Sequence, residues 1–175
     1  MTSSLHKSLL HTISDPRCQS CLAQYNCPDG WDKLPDGDRC YHLFNEKKNW
    51  NDAEHVCQGQ HGGHLAAVTN QEIHDYINRK GKAVWVGGTD EQHEGGWSWS
   101  DCSDWKFTKW RGFTPHIDLT IFSLQQPNGG RGENCLILRY NNHNEWHDFN
   151  CNAHRHFVCS IRLCPPAGKE KYSLQ

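Results

Sequence analysis

Two early segments of the chain have apolar residues spaced for amphipathic helices. The first, NWNDAEHVCQGQ at residues 49–60, begins with Asn49, a residue type that caps helix N-termini. Its apolar face consists of Trp50, Ala53, Val56 and Cys57. The second, TNQEIHDYINRK at residues 69–80, places Thr69 three positions before Glu72, the spacing of a capping box. Its apolar stripe consists of Ile73, Tyr76 and Ile77, so both segments are predicted to be helices.

Beyond Gly81 the apolar pattern changes from a helical period to short strands. The segment AVWVGG at residues 83–88 is a continuous apolar run, and GGWSWS at residues 95–100 alternates tryptophan with serine. Two further apolar runs follow, CLILRY at residues 135–140 and HFVCSIRL at residues 156–163. Helices first and strands with long connections afterwards indicate an α+β fold.

The two ends of the chain lack this periodicity. Residues 1–26 are polar and predict an N-terminal tail or stalk, and residues 165–175 predict a C-terminal tail. The domain is therefore expected to span residues 27–164. Its first element is a compact hairpin between Cys27 and Cys40, because two Pro-Asp-Gly turns separate short aromatic pieces there.

Composition narrows the function classes. The net charge is −2 and the sequence has no dense run of Lys or Arg, so it does not predict the basic surface that nucleic-acid binding needs. No apolar stretch approaches the ~20 residues that span a bilayer. The motifs G-x-S-x-G of hydrolases and H-E-x-x-H of zinc proteases do not occur, so the chain is not expected to be an enzyme.

The cysteine content points to an extracellular protein. Ten cysteines favour disulfides in an oxidising compartment, although no signal peptide is visible in the opening residues. Zinc is the alternative, since Cys18 and Cys21 form a C-x-x-C pair and the chain contains 13 histidines. The other cysteines are mostly solitary, whereas a closed zinc site needs two tight ligand pairs, so disulfides are preferred.

The segment QQPNGGRGENC at residues 125–135 is rich in oxygen-bearing side chains around one proline. No helix or central strand tolerates this mixture of Pro and Gly. The segment is therefore predicted to be a loop that holds a ligand.

An ordered series of motifs resembles the C-type lectin-like domain in its long form, with an additional N-terminal hairpin. The series runs through CPDGW…CY, NWNDAEHVC, HLAAVTNQEI, VWVGGTD, QPN, GENC, EWHDFNC and FVC. The resemblance implies two helices plus small antiparallel sheets with long disulfide-stapled loops. It also implies the disulfides Cys27–Cys40, Cys57–Cys159 and Cys135–Cys151.

Four cysteines are left over by this pairing: Cys18, Cys21, Cys102 and Cys164. Because the termini of the fold lie close together, Cys164 is expected to pair with Cys18 or Cys21, which leaves the other for Cys102. A disulfide-linked homodimer through Cys18, Cys21 or Cys102 is the alternative that the sequence leaves open.

The resemblance also implies a principal calcium site around a cis Pro127. Calcium takes oxygen ligands from carboxylates and amide carbonyls. The implied ligands are Gln126, Asn128, Glu133 and Asp148, and together with His147 they would also bind carbohydrate. A second calcium site, present in some members, would use Asp90 and Glu94.

Two features depart from the family pattern. Gln126-Pro127-Asn128 carries an amide on both sides of the proline, whereas the mannose type has E-P-N and the galactose type Q-P-D, so neither preference follows. His147 stands where the family has Asn, and imidazole is a poor ligand for a hard cation. We expect His147 to titrate near neutrality, so that ligand binding falls below about pH 6.

The resemblance therefore implies a secreted, calcium-dependent carbohydrate-binding lectin that recognises microbial or cell-surface glycans, by analogy in innate immunity. The alternative is a calcium-independent C-type lectin-like domain that binds protein, ice or mineral, which the double-amide motif and His147 favour. The expected partner is carbohydrate, without nucleic acid and without a membrane span.

Overall fold

The computed structural model describes residues 26–35, 37–60, 62–112, 125–139, 141 and 143–164. The predicted tails, up to residue 25 and from residue 165, lie outside the described residues, and so do the predictions for Cys18 and Cys21. No helix in the described ranges has the length and apolar character needed to cross a bilayer.

The described residues form two α-helices, eight β-strands and a 3₁₀ turn at Gly130–Gly132. In chain order the elements are β1 (Asp32–Lys33), β2 (Arg39–Lys48), α1 (Trp50–Gly59), β3 (His64–Leu65), α2 (Gln71–Arg79), β4 (Val84–Thr89), β5 (Ser98–Trp99), β6 (Cys135–Leu138), β7 (Trp146–Phe149) and β8 (Arg155–Arg162). The α+β class predicted from the order of apolar patterns is confirmed.

Both predicted helices are present, but one of them is capped by a different residue. Asn49 caps α1 as predicted, since its side-chain oxygen accepts a 2.8 Å hydrogen bond from the backbone N–H of Asp52. The capping box of Thr69 in α2 is wrong, because Asn70 takes the cap position and its side chain accepts from Ile73 N–H at 2.9 Å. Asn is at least as good a cap as Thr and lies one residue nearer the helix.

The strands form one sheet in the order β1-β2-β8-β4-β6-β7, with β3 also paired to β8 and β5 to β4. Within this sheet β4 and β8 are parallel, whereas β6 is antiparallel to both of its neighbours, β4 and β7. Thr89 at the end of β4 pairs with Cys135, and Cys135 pairs with Phe149 at the end of β7. The end of β4, the start of β6 and the end of β7 therefore meet.

Strand β6 is buried on both faces and divides two apolar clusters. Leu136 and Leu138 pack into a cluster with the stripe of α2, whereas Ile137 packs into a second cluster with α1. Alternate side chains of a strand point to opposite faces, which explains this division. In the first cluster Trp146 contacts four aromatic rings at centroid distances between 5.6 and 5.8 Å: Trp99, Trp105, Phe107 and Trp110.

Three disulfides have both cysteines identified within the described residues, and they confirm all three predicted pairs: Cys27–Cys40, Cys57–Cys159 and Cys135–Cys151. The second joins positions separated by 102 residues. In the chain-entropy model a loop of that length stabilises the fold by about 4–5 kcal/mol. Cys102 and Cys164 are disulfide-bonded too, so none of the described cysteines is a free thiol and the zinc alternative does not hold for them.

Candidate functional site

The candidate site lies where the end of β4, the start of β6 and the end of β7 meet. The register of the sheet places Asp90, which follows β4, next to Asn134, which precedes β6: the Asp90 N–H donates to the Asn134 carbonyl oxygen at 3.2 Å. Asp148 is the penultimate residue of β7 and is only 2% exposed. Three sequence-distant polar residues are thereby brought to one end of the sheet.

The loop before β6 passes through a cis peptide bond between Gln126 and Pro127, as expected. Gln126 is anchored by its backbone N–H, which donates to the carbonyl oxygen of Arg111 at 2.9 Å. Beyond the proline, the Asp148 carboxylate accepts hydrogen bonds from the backbone N–H groups of Asn128 at 2.8 Å and Gly129 at 2.7 Å. Asp148 therefore joins the proline loop to the sheet.

Glu133 folds back over Gly129. A Cβ atom built on Gly129 would lie 2.2 Å from Glu133 Oε2 and 2.3 Å from Glu133 Cβ, which is far inside van der Waals contact. In the structure, the Glu133 side chain occupies the space that a side chain at position 129 would need.

Asp90 and Asn134 form the second half of the site. Asp90 is 4% exposed, and its Oδ2 accepts the N–H of Gly95 at 2.9 Å, which closes the turn that carries the exposed Glu94. The Asn134 carbonyl oxygen also accepts the Thr89 hydroxyl at 2.9 Å. Asn134 is not among the site residues predicted from the sequence. Its position between Glu133 and the apolar run of β6 is the sequence feature that could have identified it.

Four buried side-chain oxygens of these residues have no hydrogen-bond partner within the described part of the chain: Asp90 Oδ1, Gln126 Oε1, Asn134 Oδ1 and Asp148 Oδ1. Buried oxygens are ordinarily hydrogen-bonded, because an unsatisfied one is unfavourable by about 1–3 kcal/mol. All four are carboxylate or amide oxygens, the donor type that Ca²⁺ takes. The residues present therefore fit a hard cation by their chemistry.

Burial and a neighbouring acid raise the pKa of two carboxyls of the site, Asp148 and Glu133. Burial, and then the charge of Asp90, raise the pKa of Asp148, although its bonds from Gly129 and Asn128 oppose this. Burial and the charge of Asp148 likewise raise the pKa of Glu133. Three carboxyls thus concentrate negative charge in a poorly solvated region, which favours a cation.

The acids alone are too widely spaced to form a metal cage. Among the described residues, no three His, Cys, Asp or Glu side chains are grouped closely enough to hold a metal ion. A cation at this site would depend on the amide oxygens of Gln126, Asn128 or Asn134 as well as on carboxylates. This mixture of donors carries a low ligand charge, which is typical of weak calcium binding.

His147 does not join this group of residues. It pairs with Ile137, whereas Asp148 pairs with Leu136, so the two side chains point to opposite faces of the sheet. His147 is 4% exposed, and burial lowers its pKa to about 4, helped by Arg111 and His143. The expectation that His147 titrates near neutrality is therefore wrong, because the imidazole is held in the interior.

Comparisons with known proteins identify relatives of this chain. The family model described as Lectin C-type domain matches residues 46–161. A C-type lectin mannose-binding isoform from Notechis scutatus scutatus is 32% identical over 165 residues, which cover 89% of this chain and 93% of that protein.

Two solved structures illustrate the range of proteins with this fold. The mouse scavenger receptor C-type lectin carbohydrate-recognition domain is 27% identical, with a TM-score of 0.64, and the match covers 79% of this chain and 98% of that one. A calcium-independent type II antifreeze protein is 26% identical, with a TM-score of 0.65, and the match covers 79% and 96% of the two chains.

Proposed function

Because the chain belongs to the C-type lectin domain family, we propose that it is a calcium-dependent carbohydrate-binding lectin. The observation that carries this proposal is the set of four unpartnered buried oxygens on Asp90, Gln126, Asn134 and Asp148. The relative from Notechis scutatus scutatus is named a mannose-binding lectin, which supports a glycan as the ligand.

In this proposal Gln126, Asn128, Glu133 and Asp148 hold the ion of the principal site. A bound Ca²⁺ would supply direct coordination to two sugar hydroxyls. Asp148 fixes the loop through its bonds to Asn128 and Gly129, so the loop is preorganised before any ligand arrives. Asp90 and Glu94, with Asn134, form the proposed second site.

The same side chains provide the hydrogen bonds to the sugar. Carboxylates of Glu133 and Asp148 accept from sugar hydroxyls, and the amide nitrogens of Gln126 and Asn128 donate to them. Because amides flank Pro127 on both sides, the site has one acceptor fewer than a carboxylate at either position would give. We infer a ligand with vicinal hydroxyls, without assigning mannose or galactose.

His147 has a supporting part in this proposal. Since it lies on the sheet face opposite Asp148, it supports the strand that carries Asp148 and does not touch the metal. A direct contact between His147 and the sugar, which the sequence pattern suggested, is not part of the proposal.

The proposed setting is extracellular, where the glycans of microbes or other cells would be the ligands and innate immunity the context. The support is the disulfide bonding of all eight described cysteines, which is typical of proteins from oxidising compartments.

A glycan array probed with the protein, once with calcium and once with a chelator, tests the proposal. We expect binding to at least one class of neutral glycan with vicinal hydroxyls, and its loss in chelator. A Glu133→Gln variant should lose the same binding, whereas Glu91→Gln, which removes an exposed acid outside the site, should retain it. Binding that is equal with and without calcium would reject the proposal.

A second candidate is a calcium-independent domain that binds protein, ice or mineral. The absence of a three-acid cluster among the described residues and the likeness to a calcium-independent antifreeze protein favour it. It predicts no heat of calcium binding at millimolar concentration, together with ligand binding that persists in chelator.

A further inference from the structure

The opposite end of the sheet gathers basic side chains from three separate parts of the chain. Lys48, the last residue of β2, pairs with Arg155, the first residue of β8. His156 pairs with Val84, so Lys82, two residues before Val84, lies beside them. With the exposed Lys47, these cations form a cluster that we call the basic end: Lys47, Lys48, Lys82 and Arg155.

Hydrogen bonds from one buried side chain anchor the backbone at the basic end. The indole N–H of Trp85 donates to the carbonyl oxygens of both Lys48, at 3.0 Å, and Ala153, at 3.2 Å. The Arg155 guanidinium lies 4.9 Å above the ring of Phe149. Between Phe44 and Lys48 the register shifts, and this irregularity leaves Lys47 outside the ladder.

This arrangement is unfavourable for the isolated domain. Lys48 and Arg155 stand directly opposite each other, and like charges in that relation destabilise a sheet. One acid relieves part of the repulsion, since Glu46 lies 3.3 Å from the Lys48 ammonium. The chain as a whole carries a net charge of −2, so the excess of cations is local. A local conflict of this kind is typical of a functional surface.

We propose that the basic end binds an anionic polysaccharide through sulfate or carboxylate groups. A polysaccharide of this kind carries separate anionic groups along its length. Lys and Arg side chains that are spaced apart can each bind one of these groups. Nucleic-acid binding would need exposed rings for stacking, and membrane binding an apolar anchor. The aromatic residues beneath this surface provide neither feature, because Trp85 and Phe157 are fully buried and Arg155 covers Phe149.

Most of the basic end lies away from the candidate site. Val84 and Thr89 mark the two ends of β4, five residues apart, so the strand separates Lys82 from the Thr89 end by about 17 Å. Arg155 is the exception, since its guanidinium lies over Phe149, the residue that follows Asp148. Polysaccharide binding at the basic end therefore requires no calcium, and it does not depend on the function proposed for the other end of the sheet.

The test is a calorimetric titration with a size-defined heparin fragment in the presence of chelator. We expect binding that weakens by about a hundredfold between roughly 50 and 300 mM NaCl, as counterion release from three to four contacts requires. The double variant Lys47→Gln/Lys82→Gln should lose affinity about tenfold or more and lower the salt slope by about two. The control Lys33→Gln/Lys106→Gln, which removes the same charge from exposed positions elsewhere, should bind like the wild type.

Three outcomes would overturn the proposal. The first is an equal loss of heparin affinity in the double variant and in its control, since that would show a general effect of charge. The second is dependence on calcium, which would assign the binding to the other end of the sheet. The third is single-stranded DNA or vesicles of phosphatidylserine binding through Lys47 and Lys82 more tightly than the heparin fragment. Thermal unfolding of each variant establishes that the fold is retained.

Discussion

Asp148 in strand β7 accepts a 2.7 Å hydrogen bond from the backbone N–H of Gly129, 19 positions earlier in the chain. The same carboxylate oxygen accepts from Asn128, so one buried acid holds both residues that follow the cis proline. Its other oxygen has no partner within the described residues. One carboxylate oxygen of Asp148 thus holds the loop in place, and the other is available to bind a ligand.

Replacing Asp148 by Ala should therefore affect both stability and binding. Two backbone N–H groups lose their acceptor, so the free energy of unfolding should fall by about 1–3 kcal/mol in urea denaturation. Asp148→Asn, which keeps one acceptor oxygen, should lose less stability but should still weaken calcium binding. If the two variants are equally unstable, the hydrogen bonds do not hold the loop.

Gly129→Ala should displace Glu133, because the new methyl group would collide with its side chain. We expect calcium affinity to fall about tenfold or more, equivalent to about 1.4 kcal/mol, in a calorimetric titration. Gly132→Ala is the matched control, since a Cβ at Gly132 meets no described atom within 4 Å. An equal effect of both substitutions would mean that the loop responds to any loss of glycine.

Gln126→Glu should strengthen calcium binding, since it adds a carboxylate where a buried amide oxygen now has no described partner. About a tenfold gain in affinity, or 1.4 kcal/mol, is expected from one additional charge in a partly solvated site. Gln125→Glu adds the same charge one position earlier and serves as the control. A gain shared by both variants would reflect long-range attraction alone.

The buried His147 predicts how stability depends on pH. The folded protein keeps this imidazole neutral down to about pH 4, whereas the unfolded chain protonates it near 6.5. The unfolded state then binds more protons as pH falls below 6.5, so the free energy of unfolding decreases, by roughly 2–3 kcal/mol at about pH 4.5. Urea denaturation at about pH 7 and pH 4.5 should show a smaller decrease for His147→Gln. An unchanged pH dependence in that variant would contradict the account.

Local patterns in the sequence predicted much of the fold. The stripe of Ile73, Tyr76 and Ile77 identified α2, and the resemblance implied the three disulfides and the cis bond before Pro127. The capping box was wrong, because Thr69 and Asn70 are adjacent residues of similar capping strength.

Features that depend on strand register could not be predicted from the sequence. A shift of one residue moves every side chain to the other face, so His147 beside Asp148 was expected to bind carbohydrate although its side chain lies on the opposite face of the sheet. Asn134 and the basic end were missed for a related reason. Their neighbours come from distant strands, and only the pairing of Thr89 with Cys135 and of Lys48 with Arg155 brings them together.

The central claim is that the residues around Pro127 bind calcium, and calorimetric titration of the metal-free protein with Ca²⁺ tests it most directly. The account predicts a saturable heat of binding at millimolar calcium or below, lost in Glu133→Gln and retained in Glu91→Gln. A wild-type protein that takes up no calcium in this range would contradict it, and would leave the calcium-independent alternative as the function of this domain.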